Sequence, residues 1–142
     1  MIDITAAAIA TLISSAVATT VALKINNHNA IKSLNDQLDN ILKIAIQYPY
    51  LESPSFANTW EQNKDSETED YLRYENYCTL IFNYLERLCK YYKFDNSRIE
   101  KHLNVKGWIR VHKSCWQHPS VPFENADGYD NRFKVLIDNY LR

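Results

Sequence analysis

From Ile4 to Leu23 the chain runs for twenty residues without a charge, between Asp3 and Lys24. As a helix at about 1.5 Å per residue, such a run spans about 30 Å, the hydrocarbon thickness of a bilayer. Seven of the twenty are large aliphatics, seven are Ala and six carry hydroxyls. The aliphatics favour insertion by about 0.3–0.6 kcal/mol each, so by about 3 kcal/mol together. The hydroxyls oppose insertion but can bond back to helix carbonyls. Ala16-Val17-Ala18 would suit a signal-peptide cleavage site, but Asp3 stands where such a peptide needs Lys or Arg. A buried Ala-rich helix is the third reading. The expectation is a transmembrane anchor over residues 1–24.

Lys24, Lys32 and Lys43 follow the run, and only the amino terminus and Asp3 precede it. The positive-inside rule then places the amino terminus outside and the C-terminal part in the cytoplasm. Cys78, Cys89 and Cys115 are odd in number, with no CxxC. Reduced thiols in a cytosolic compartment fit that pattern better than a disulfide framework.

Small residues recur every fourth position within the run. Ala6, Ala10, Ser14, Ala18 and Ala22 make one ridge, and Ile9, Ile13, Val17 and Val21 make another elsewhere on the helix. Small ridges let two helix backbones approach closely in lipid, so the first is the candidate helix–helix interface. The partners this implies are the lipid bilayer and a second copy of the chain or another membrane protein.

A juxtamembrane helix is expected over residues 25–47. Ile31, Leu34, Leu38, Ile41 and Ala45 alternate three and four apart, as in a coiled-coil seam, for barely two heptads. This helix is either the first of a bundle or a dimeric stalk. Tyr48-Pro49 ends it. Residues 48–142 then form the cytoplasmic helical domain. Gly occurs only twice in 142 residues, at Gly107 and Gly128. A β-sandwich or dinucleotide-binding fold needs Gly-rich turns, whereas long helices do not. The expected class is all-α: one transmembrane helix and a three- or four-helix bundle.

In the domain, Phe56 and Trp60 are isolated anchors with helical spacing. Ser66-x-x-Glu69 fits a capping box. The strongest helix follows it, with Tyr71, Tyr74, Cys78, Ile81, Leu85, Leu88 and Tyr92 alternating three and four apart and Tyr77, Tyr84 and Tyr91 in a parallel row. A stripe this wide predicts a central helix. Ser97-x-x-Glu100 is a second box, Gly107 is expected to break or bend the next run, residues 119–128 read as a loop, and Asp130 can cap a final helix.

Chemistry is sparsely encoded. A net charge of −1 without a basic stripe argues against nucleic acid. His112-x-x-Cys115-x-x-His118 has ligand residue types, with His102 as a further candidate, but lacks the second pair that zinc sites use. Arg73, Glu75, Glu86 and Arg87 flank the Tyr-rich face, and buried Tyr hydroxyls need partners. No phosphate-binding Gly loop, HExxH, GxSxG or paired-carboxylate motif occurs. Neither an enzyme nor a cofactor is expected.

Several spacings nevertheless form a pattern: Tyr48-Pro49-x-Leu51, Arg73-Tyr74-x-x-Tyr77 with Phe82-Asn83-x-x-Glu86, Trp108-x-x-x-His112-x-x-x-Trp116-x-x-Pro119, and Tyr129-x-x-x-Phe133-x-x-x-Ile137. Over residues 45–140 the chain resembles a bacterial family of small single-pass membrane proteins with a cytoplasmic helical domain and no assigned activity. The resemblance implies the fold and no particular chemistry. The expected function is a membrane-anchored interaction or regulatory module. The alternative is a small oligomerising membrane effector of the toxin or phage-defence type.

Overall fold

The computed structural model describes the backbone of residues 4–121 and 127–142, with side chains from residue 14 onward. The protein is all-α, with no strand among the described residues. It divides into two compact units, Met1–Asp36 and Gln37–Arg142.

Helix α1 runs unbroken over Ile4–Gln47, 44 residues. It has no Gly or Pro to interrupt it. Thr19 and Thr20 donate their hydroxyls to the carbonyls of Ser15 and Ala16, at 2.8 and 2.9 Å, so both satisfy themselves within the helix. Val17, Val21, Leu23 and Ile25 are each half or more exposed. Among the described residues no helix is long and apolar enough to cross a membrane. The uncharged run expected to do so begins at Ile4, and its side chains up to Ile13 lie outside the described residues. Ala6 and Ala10 of the small ridge lie there too, whereas Ser14, Ala18 and Ala22 are exposed. Further along, Leu34 and Ile41 of the seam are buried, while Leu42 and Ile46 beside it are exposed.

In the second unit, Pro49–Glu52 forms a 3-10 turn, η1, that buries Leu51. Two single-turn helices follow, α2 over Pro54–Ala57 and α3 over Trp60–Asn63. Helix α4, Glu69–Tyr91, is the core element and buries nine side chains, including Tyr74, Tyr77, Cys78, Ile81, Tyr84, Leu85 and Leu88. The middle of both expected rows is therefore inside, while Tyr71, Tyr91 and Tyr92 at the ends are only half-buried. The capping box at Ser66 does not form. Thr68 is the N-cap, without a side-chain bond, and Ser66 gives its hydroxyl to the Thr68 side chain. Helix α4 stops without glycine. Lys93 and Phe94 take left-handed backbone, φ 54° and 61°, and the Phe94 N–H closes on the Cys89 carbonyl at 2.8 Å. Such conformations cost about 1–2 kcal/mol per non-glycine residue.

The remaining helices are α5 (Asn96–His102), α6 (Val105–Val111), α7 (Lys113–Gln117) and α8 (Asn131–Leu141). Asp95, not Ser97, caps α5, because its carboxylate already accepts from the Arg98 N–H at 3.2 Å. Gly107 does not break its run. It lies in the first turn of α6, where its N–H bonds to the Asn104 side chain at 3.0 Å. A Cβ there would come within 2.6 Å of that side chain, so the glycine makes room for the cap. Asp130 caps α8 as expected, accepting from the Arg132 N–H at 2.8 Å. Of the expected loop at 119–128, residues 122–126 lie outside the described residues.

Helix α6 packs on α8, α3 on α7, and α2 on η1. In place of a three- or four-helix bundle, one long helix carries a jacket of short ones. Pro49 and Pro54 open new elements at their own positions, and the caps at Asp95 and Asn104 start others within a few residues of the last.

Leu85, fully buried in α4, tests this arrangement. Leu85→Ala should cost about 2–5 kcal/mol, as truncations of buried Leu do. Exposed Leu72→Ala should stay within about 0.5 kcal/mol. The urea midpoint of the full chain reads both, and equal midpoints would place the core on the wrong face.

Candidate functional site

Glu52 ends η1 and brings the jacket onto α4. Its Oε1 accepts from the Tyr77 hydroxyl of α4 and, at 2.8 Å, from the Trp108 indole N–H of α6. His112 Nε2, at the end of α6, stands 3.4 Å away. Burial alone would push this carboxyl up, but the His112, Tyr77 and Trp108 contacts outweigh it and hold it down at about 2. A single carboxylate oxygen thus accepts from two helices and faces a third group, His112 Nε2, which makes no hydrogen bond of its own.

His112 is fully buried. Its Nδ1 lies 3.0 Å from the Tyr74 hydroxyl and 3.8 Å from Cys78 Sγ. In the neutral ring, the tautomer that fits carries its proton on Nε2, facing Glu52, and accepts from Tyr74 at Nδ1. Burial raises the Tyr74 and Tyr77 hydroxyls above their ordinary value, so both remain donors. The Cys78 thiol is likewise pushed well up by burial, with Cys115 beside it. Such a thiol is a poor nucleophile. A cavity of about 20 Å³ beside Cys78 and Cys115 has room for one water and no substrate. A carboxylate, an imidazole and a phenol stand here in sequence, with the Glu52 side chain 35% exposed and the His112 ring fully buried behind it. Their arrangement suits holding the jacket in place.

Outer contacts extend the clamp. Arg73 lies over the Tyr48 ring, 4.0 Å from its centroid, and donates to the Tyr50 hydroxyl at 2.9 Å and to Glu69. Ser120 donates to Glu75, and the Asp130 N–H donates to Glu86 at 2.7 Å. The Trp60 indole reaches the His118 carbonyl at 2.8 Å. The charged residues flanking the Tyr face therefore fasten η1 and the connection into α8 to the central helix.

The His112-x-x-Cys115-x-x-His118 residues do not converge. His112 turns to Glu52 and Tyr74, while His118 lies at the end of α7, 3.4 Å from Glu61. His102 meets the Tyr92 hydroxyl at 3.2 Å instead. Among the described residues no three His, Cys, Asp or Glu side chains could hold a metal ion. Sequence reasoning missed Glu52. No local motif marks it; the only signal was that Tyr74, Tyr77, Trp108 and His112, all in the spacing pattern, needed polar partners.

A second feature opens at the surface. A cleft of about 290 Å³ lies between Gln37–Ile44 of α1 and Leu80–Arg87 of α4, wholly within the second unit. Ile41, Ile44 and Leu80 give it an apolar lining, while Gln37, Asn40, Asn83 and Arg87 supply polar groups. Tyr84 also lines it, 1% exposed, with a hydroxyl that has no hydrogen-bond partner. Burial pushes that phenol up to about 12.

Comparison with protein-family models, curated proteins and solved structures gives no significant match.

Glu52 sets an acid limb. Its folded value lies below the 4.5 of the free group. The stability it contributes is therefore complete above about pH 4.5 and is lost as pH falls toward about 2. Urea midpoints between pH 2 and 7 should fall through that window, and Glu52→Gln should flatten the fall while lowering the midpoint at pH 7. An unchanged slope in Glu52→Gln would remove the carboxylate from the centre of the network.

Proposed function

We propose that this chain is a membrane-anchored helical module that acts by interaction or regulation, without a catalytic step of its own. The observation that carries the reading is the first part of α1. Val17, Val21, Leu23 and Ile25 are half or more exposed on a helix that continues the uncharged run. Left in water, these aliphatics would forgo about 1.5–3 kcal/mol each of burial. Lipid covers such side chains, and the back-bonded Thr19 and Thr20 hydroxyls are compatible with it. Lys24, Lys32 and Lys43 then orient the second unit to the cytoplasm. In that unit, the chemically richest cluster is engaged within the fold, with His112 and Tyr74 buried and hydrogen-bonded to each other, which supports a binding role over catalysis.

A second reading, an oligomerising membrane effector, draws on Ser14, Ala18 and Ala22. All three are exposed and four apart, available for close contact with another helix.

A topology reporter fused after Arg142 should be active on the cytoplasmic side, and the chain should resist alkaline extraction from membranes. A mature chain beginning near Thr19 would instead show a cleaved signal peptide and overturn the anchor. For assembly, Ser14→Leu should block helix association in a membrane reporter while favouring insertion, with Ile13→Leu as the control. Equal association of both variants would reduce the small ridge to composition and leave the effector reading without its interface.

A further inference from the structure

The cleft between α1 and α4 combines features that ordinary surface grooves lack. Its volume sits near the lower end for small-molecule sites, about 300–1,000 Å³, and is too small for a folded partner. Its apolar side is built from Ile41, Ile44 and Leu80, the last of them 45% exposed. Arg87 on the same cleft donates to the neutral Gln37 amide at 3.1 Å, and no carboxylate pairs with its guanidinium among the described residues. Glu86 next to it is engaged elsewhere, with Lys90 at 3.0 Å and the Asp130 N–H. The cleft therefore presents a fixed positive charge beside an aliphatic wall.

Tyr84 is a buried part of the cleft wall. Its hydroxyl has no partner among the described residues, and a buried hydroxyl in that state costs about 1–3 kcal/mol. Phenylalanine would fill the same ring position without that cost. Asn40 and Asn83 bring carboxamides that can donate as well as accept.

We propose that this cleft binds a small amphiphile with a single anionic head, a carboxylate or phosphate, and a short apolar body. Arg87 pairs with the head, the Asn40 and Asn83 carboxamides donate to it, and Ile41, Ile44 and Leu80 cover the body. The head and the body are both required, because either half of the cleft alone is a commonplace surface. The site lies within Gln37–Arg142 and does not depend on the membrane reading, so each can fail without the other.

The test uses the purified full chain in whichever medium keeps it monodisperse, aqueous buffer or lipid nanodiscs, with the same medium without protein as the blank. Hexyl phosphate and hexanoate are the anionic probes, hexanol is the neutral one, and inorganic phosphate is the head alone. Binding is followed by equilibrium dialysis and by shifts of the Tyr84 ring resonances. The expected result is saturable binding of at least one anionic amphiphile, with hexanol and phosphate each weaker by about tenfold or more. Arg87→Gln, at an exposed position, should weaken the anionic probe by about tenfold and leave hexanol unchanged. Tyr84→Phe should leave binding nearly unchanged while the melting temperature holds or rises. Leu80→Glu, also exposed, places a like charge at the cleft and should abolish binding with folding intact. The proposal is overturned if no anionic probe binds above the blank, if hexanol binds as tightly, or if Arg87→Gln has no effect in a protein that melts normally.

Discussion

The second unit depends on a carboxylate that accepts more than it was locally placed to receive. Glu52 sits at the end of a four-residue turn, yet it draws in a hydroxyl from α4, an indole N–H and an imidazole from α6. Short helices contribute little stability of their own, because nucleating each one costs more than a few hydrogen bonds return. Helices α2, α3, α6 and α7 are four to seven residues long. They persist because side chains fasten them to α4. Glu52 is the strongest of those fasteners, and Glu75, Glu86 and Arg73 repeat the device around the same helix. Aromatic rings fill what lies between: Phe56, Tyr74 and Trp60 pack edge-on or tilted against one another, as do Phe82, Trp116 and Phe133.

What was legible in the sequence follows from the range of each interaction. The burial of α4 was visible because a three-four alternation over twenty-odd residues repeats the same statement many times, and Tyr74 through Leu88 obey it. Helix ends were read less well, because a cap depends on one residue and competes with its neighbours. Asp130 won its position, whereas Ser66 and Ser97 lost theirs to Thr68 and Asp95. Gly107 was misread because glycine's small size and its flexibility leave the same letter in a sequence. Here the size matters, beside the Asn104 side chain, and its φ is not positive. Glu52 was invisible because its partners lie 25, 56 and 60 positions away. The cleft was hidden for the same reason: Ile41 and Tyr84 belong to different helices, and only their packing makes a wall.

Helix α1 places two chemistries on one uninterrupted element. Toward its start, aliphatics stand exposed and threonines satisfy their own hydroxyls. Toward its end, Ile41 is buried and Gln37 bonds to Arg87 of α4. No glycine or proline marks the change. The change is carried by side chains alone, from hydroxyls and small residues to amides and charges after Lys24.

The span of the Glu52 contacts also bears on the order of assembly. Contacts between residues far apart in sequence must wait until the intervening chain has been gathered in, and loop closure makes them late. Helix α4 can form early from its own local turns, with Tyr77 already in place. Trp108 and His112 can reach the carboxylate only when α5 and α6 have folded back, so the hub carries the loop-closure cost of that whole stretch. Interactions absent from the transition state govern the rate of unfolding and leave the rate of folding nearly untouched. If the hub closes after the transition state, the single acceptor at Glu52 bears on how long the folded unit lasts more than on how quickly it is reached.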